Sequence, residues 1–136
     1  MESFDVETRE RNQLIDITEQ VRHVVRRLGV RQGCCIVYCP HTTAAITINE
    51  NADPDVPHDM LLWLGRAVPQ QQQGFRHGEG NSDSHIKASL IGSSATVLLE
   101  RGELILGRWQ GVFFCEFDGP RTRRVHVQVL AGTAVS

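Results

Sequence analysis

A chain of 136 residues with 22% charged side chains and a formal net charge of −2 reads as one domain, large enough to fold without staples. Its near-balanced charge excludes wholesale nucleic-acid binding, and no apolar run approaches the roughly 20 residues needed to cross a bilayer. Residues 1–5 (MESFD) have neither the basic stretch nor the apolar run of a signal peptide, so a cytoplasmic protein with no membrane or nucleic-acid partner is expected.

In chain order, Phe4, Val6 and Thr8 alternate with polar residues, and Leu14, Ile15, Asp16 and Ile17 follow. This predicts a hairpin or two sequential strands. Thr18 is placed to cap a helix whose Val21, Val24, Val25 and Leu28 recur at i, i+3, i+4 and i+7, with Gly29 as its stop. His23 lies off that stripe and reads as solvated. Residues 34–38 (CCIVY) predict a central strand, apolar on both faces, and residues 45–49 another. Asp53 and Pro54 signal a helix start. Met60, Leu61, Leu64 and Val68 would form that helix's buried face, leaving Asp55, His58 and Asp59 solvated near its start.

The run Gln70 to Gly74 is a polar loop, too short to divide domains. Ser82 or Asp83 would cap a third helix carrying Ile86, Leu90 and Ile91 and ending at Gly92. Strands are predicted over 96–99, 104–106 and 109–117, joined by turns at Arg101-Gly102 and Asp118-Gly119-Pro120. The last strand, 124–130, puts Val125, Val127 and Val129 on one face and Arg124, His126 and Gln128 on the other. The order ββαββααββββ assigns the chain to the α+β class, as a mixed-sheet α/β sandwich in a single domain spanning 1–136.

The four cysteines, Cys34, Cys35, Cys39 and Cys115, form no CxxC pair and no disulfide framework. Reduced, mostly buried thiols are expected; Cys39, two residues from His41, is the one candidate for reactivity, and the inert reading is preferred for it too.

Chemistry-bearing side chains concentrate in and after the segment Cys39 to Asp55, which holds His41, Asn49, Glu50, Asn51 and Asp53 around a short strand. Packing alone does not require so many at a strand end, and loops on a rigid scaffold are where binding concentrates. His41, His77 and His85 all sit in loop-like surroundings. Three neutral imidazoles with an open position suit a catalytic transition metal, although no zinc-site spacing such as HExxH is present. The other reading is three independent structural or acid/base histidines. Arg121, Arg123 and Arg124 form a cationic cluster, and the forks of Arg121 and Arg123, sharing strand parity, suit phosphate or carboxylate. A solvated strand edge is the plainer account of that cluster. Asn81 and Ser82 open a helix whose N-terminus would attract an anion. Trp109 is either core or a stacking platform. Glu116, among aromatic neighbours, is either paired with an arginine or functional through a raised pKa.

Three blocks carry a family resemblance. One is His41-Thr42-Thr43-Ala44 with Thr47 to Asp55 (TINENADPD), the second is Gly80 to Ser94 (GNSDSHIKASLIGSS), and the third is Gly102 to Val112 with Glu116 to Arg121. Together they resemble the YjbQ family in the same order across nearly the whole chain. The resemblance implies a YjbQ-like α+β sandwich assembling as a homotrimer. It also implies thiamine phosphate synthase activity, possessed as a secondary trait, joining hydroxymethylpyrimidine diphosphate to a thiazole phosphate. A divalent metal on His41, His77 and His85 would then neutralise the leaving diphosphate, helped by Arg121 and Arg124. Zinc or another transition ion suits imidazoles better than magnesium. Trp109 would stack on the pyrimidine, with Asn49, Glu50 and Asp53 as orienting groups or alternative ligands. Metal-assisted hydrolysis of a small phosphorylated metabolite, or its binding without turnover, are the competing expectations.

Overall fold

A computed structural model describes residues 1–133. The elements follow the expected order: β1 (Glu2–Glu7), β2 (Gln13–Asp16), α1 (Thr18–Leu28), β3 (Gly33–Tyr38), β4 (Ala44–Glu50), α2 (Asp55–Ala67), α3 (Ser82–Ile91), β5 (Ser94–Glu100), β6 (Glu103–Leu104), β7 (Gln110–Glu116) and β8 (Thr122–Ala131). They build a five-stranded sheet, β1-β8-β3-β5-β6, and a three-stranded sheet, β2-β7-β4. The α+β class holds, but every described strand pair is antiparallel rather than mixed. The reason is topological. Helix α1 links β2 to β3 in a different sheet, so its crossover creates no parallel neighbours. The two N-terminal strands likewise form no hairpin, since β1 pairs with β8 and β2 with β7.

Helix α1 forms as its periodicity requires, with Val21, Val24 and Val25 buried and Gly29 closing it in the left-handed conformation. Thr18 is the first helical residue. Ile17 holds the cap position without a side-chain bond, and Asp16 before it accepts the Thr18 N–H through Oδ1 at 2.9 Å. One core lies between the five-stranded sheet, α1 and one face of the three-stranded sheet, centred on Val37, Ile46, Phe114, Val125 and Val127. A smaller one, holding Ala45, Leu64, Ala88, Cys115 and Phe117, lies between the other face and helices α2 and α3. Strand β7 is therefore buried on both sides, which its run VFFC allows.

Helices α2 and α3 depart from expectation. Leu64 alone is fully buried on α2, and Trp63 is 65% exposed. On α3 the inward residues are Asp83, Ser84, Lys87 and Ala88, while Ile86 and Leu90 face outward. An ionic anchor replaces the predicted apolar stripe. Fully buried Asp83 takes two hydrogen bonds from Arg11, each 3.0 Å, and one from Lys87 at 2.9 Å. Ser84 Oγ donates to the Phe117 carbonyl. No helix among the described residues is long and apolar enough to cross a membrane.

Candidate functional site

The chain leaving β3 at Tyr38 turns over one end of the three-stranded sheet and re-enters at Ala44. That turn is tied down at Cys39, whose N–H donates to the Ser93 carbonyl at 2.8 Å. It is tied again at His41, whose Nε2 accepts the Arg124 backbone N–H at 2.9 Å. A backbone amide can only donate, so the His41 proton resides on Nδ1. Burial, then the nearby Arg123 charge, holds this imidazole below its ordinary pKa. His41 is thus a neutral N–H donor at physiological pH.

The folded state binds a proton at His41 less readily than the unfolded chain. The stability this contributes is complete above the unfolded value, about 6.5, and is lost as pH falls through the lower folded value. A long-range proton–nitrogen NMR titration should show the Nδ1–H tautomer at neutral pH and a midpoint below that of an ordinary histidine. An Nε2–H tautomer would contradict the assignment.

His85 projects from the first turns of α3 and its ring meets that of His77 edge to face, with centroids 5.4 Å apart. His77 Nε2 lies 3.5 Å from Glu79. His41 and His85 line a common polar cleft of about 340 Å³ with Asn81, Asp118, Arg121 and Arg123. The three histidines nevertheless form no ligand set: among the described residues, no three His, Cys, Asp or Glu side chains are placed to hold a metal ion. The His41 lone pair that a metal would need is already taken by Arg124 N–H.

The cationic cluster divides in three. Strand β8 begins at Thr122, so Arg121 lies in the turn before it, half-exposed and 3.3 Å from Asp118. Arg123 points inward and is buried. Its Nε and Nη2 clasp Glu116 at 2.8 and 2.5 Å, and Nη2 also reaches Thr43 Oγ1 at 2.8 Å. Arg124 faces the opposite side, exposed beside Asp5 at 3.1 Å; its contribution to the site is its backbone N–H. Arg121 precedes the strand, so strand parity is not what brings it to the cleft that Arg123 also lines.

Glu116 resolves to the paired alternative. Burial pushes its carboxyl upward, but hydrogen bonds from Arg123, the Asp118 N–H and Thr8 outweigh this and hold it below the usual carboxylate range. Asn81 precedes α3, donating to Asp118 Oδ2 at 2.8 Å, while its buried Oδ1 has no partner among the described residues. Ser82 lines a neighbouring recess with His77 and His85.

Asn49, Glu50, Asp53 and Trp109 lie elsewhere within the chain. The register pairs Ala44 with Glu116 at the imidazole end and Glu50 with Gln110 at the other, six residues or about 20 Å along the strand. Asn49 Oδ1 accepts the Glu50 N–H, and Asp53 Oδ1 accepts the Asp55 N–H at the start of α2. Trp109 is half-exposed beneath the Arg108 guanidinium, 4.6 Å away. His58 and Asp59 are solvated as expected and bond to each other. All four cysteines are free; Cys39 and Cys115 are buried, and burial raises both thiols, which makes Cys39 unreactive rather than activated. Residues not foreseen at the cleft are Thr42, Thr43, Glu79 and Asp118. The two threonines adjoin His41 in sequence, a signal that was available.

The family assignment rests on comparison with known proteins. The model for the UPF0047 protein YjbQ-like family matches residues 2–132. This chain belongs to the YjbQ family. The UPF0047 protein YugU of Bacillus subtilis is 47% identical over 130 residues, covering 96% of this chain and 98% of that one. A UPF0047 protein of Methanocaldococcus jannaschii is 46% identical over 127 residues, covering 93% and 91%. Among solved structures, an uncharacterised conserved protein of the YjbQ/UPF0047 family from Clostridium acetobutylicum superposes with a TM-score of 0.94 at 50% identity, covering 96% of this chain and all of that one. A conserved hypothetical protein from Thermus thermophilus gives 0.89 at 39%, with the same coverage.

Proposed function

We propose that this YjbQ-family chain is a cytoplasmic enzyme acting on a small phosphorylated metabolite, its reaction being transfer of the thiamine phosphate synthase type. The observation carrying the reading is the polar cleft in which Arg121 and Arg123 stand beside the neutral His41. Half-exposed Arg121 would meet the phosphate first, with Arg123 behind it held rigid by Glu116. The opening of α3 adds partial positive charge from the same side. The His41 Nδ1–H would donate to oxygen of a departing diphosphate as negative charge develops there. The expected divalent metal, zinc or another transition ion ahead of magnesium, does not fit the three histidines as one chain holds them, and no step is routed through it.

Homotrimer assembly belongs to the same proposal. Supporting it, apolar side chains stay uncovered on two separate faces: Trp63, Leu62, Ile86 and Leu90 on the helices, and Tyr38, Leu98 and Leu130 on the outer face of the five-stranded sheet. Two unlike faces, one on each side of a contact, suit the head-to-tail interfaces that close into rings. Light scattering should report three times the 15.2-kDa chain mass.

The activity test is incubation with hydroxymethylpyrimidine diphosphate and thiazole phosphate, with thiamine phosphate read by mass spectrometry. The wild type should form product, and folded His41→Ala should lose roughly a hundredfold or more in turnover. No product from the wild type, or full turnover in the variant, would sink the proposal. Release of inorganic phosphate without joining would instead identify a hydrolase.

A further inference from the structure

Two clefts meet at the imidazole pair. Both are lined by His41, Thr42 and His85. Beyond that shared rim their chemistry diverges. The cleft of about 340 Å³ is walled by charged and amide groups, Arg121 and Arg123 among them. The other, of about 510 Å³, is walled by Ala44, Ala88, Ser89, Gly92 and Ser93, which carry no charge and little bulk.

Local structure explains the contrast. Helix α3 turns its ionic side, Asp83 and Lys87, into the protein interior. The residues it leaves toward the second cleft are the short Ala88 and Ser89, and Ser89 folds its hydroxyl back onto the His85 carbonyl at 2.9 Å. Gly92 then ends the helix at a φ of 105°, a conformation that disfavours a side chain there. The room beside His41 is therefore built into the helix and its exit.

We infer that the ligand is a two-part molecule: an anionic phosphate end at Arg121 and Arg123, and an uncharged body in the larger cleft along α3. The join between the parts lies over His41 and His85. This rests on the phosphate reading proposed above and adds the second subsite. A phosphate alone would leave the larger cleft untouched. A second anion there would find no cationic side chain to meet it, and a charge taken from water without a partner is costly. An uncharged ring gains by covering the alanine and glycine surface. Each cleft lies in the size range of small-molecule sites.

The test compares inorganic phosphate with phenyl phosphate by titration calorimetry. The wild type should bind phenyl phosphate at least roughly tenfold more tightly, the advantage expected from burying a ring. Ser89→Phe, at an exposed helix position, should fill the larger cleft and erase that advantage while leaving phosphate affinity within about twofold. Ser93→Phe repeats the test from the other wall, and circular dichroism confirms that each variant is folded. Equal binding of the two probes by the wild type, or an advantage that survives both folded variants, overturns the second subsite alone. If the wild type binds neither probe, the phosphate reading falls and the inference with it.

Discussion

Replacing Glu116 by alanine should cost about 3–5 kcal/mol of stability, the usual penalty for leaving a buried charge without its partner. The carboxylate is fully buried and accepts from Arg123, from Thr8 Oγ at 2.9 Å and from the Asp118 N–H at 2.9 Å. Its loss strands the Arg123 guanidinium, itself 3% exposed, with Thr43 as its remaining partner. Urea denaturation should show the midpoint falling by roughly 2 M, taking a slope typical of small domains. The double variant Glu116→Leu with Arg123→Met should recover much of the loss, since apolar pairs of similar volume often replace buried ion pairs without cost. The pH dependence has a definite sign. Glu116 is held below the usual carboxylate range, so its contribution is complete above an unfolded value of about 4.3 and is lost as pH falls through the lower folded value. An unchanged midpoint in Glu116→Ala would show that the pair contributes nothing.

Asp83→Ala should be comparably severe, again about 3–5 kcal/mol, because two cations then face one another with nothing between them. Burial alone would raise the Asp83 carboxyl; hydrogen bonds from Arg11 and Lys87 reverse this and hold it below the usual range. Lys87 is 3% exposed, with its ammonium 6.0 Å from the Phe117 ring centre and Asn12 Oδ1 as its other polar partner, at 3.4 Å. The consequence reaches the cleft, since the helix anchored by Asp83 also carries His85 and begins beside Asn81. The thermal midpoint should drop by at least roughly 10 °C, and in the surviving folded fraction the His85 ring resonances should move while those of His23, on α1, stay put. Unmoved His85 resonances would separate the ionic anchor from the site.

Much of the fold was legible because its signals are local. The stripe of Val21, Val24 and Val25 identified α1, and the alternation of Val125 and Val127 identified the inner face of β8. Two features were not, and each has a physical cause. Helix α3 buries its charges, and a search for apolar periodicity cannot see a face held by Arg11, more than seventy residues away in sequence. Pairing partners are likewise set by the tertiary fold, which is why the N-terminal strands joined different sheets and why the mixed sheet proved antiparallel. At the site, proximity in sequence misled. Asn49 and Glu50 follow His41 closely, yet an extended strand carries them to the far end of the sheet. His85 and Arg121, distant in sequence, lie with His41. The tautomer of His41 depends on the Arg124 backbone amide, a partner no motif announces.

The pairing of β1 with β8, with Glu2 opposite Val127, has a consequence for how the chain is made. On the ribosome, β1 is synthesised early but has no neighbour to bond until β8 appears. Strand β3 waits for the same arrival on one of its edges. The five-stranded sheet cannot close before β8 has been made, and His41 lacks the Arg124 amide until then. Contacts this distant in sequence slow folding, and unpaired strand edges are points where nascent chains associate wrongly. The nascent chain therefore acquires its cleft late, in the same event that seals its sheet.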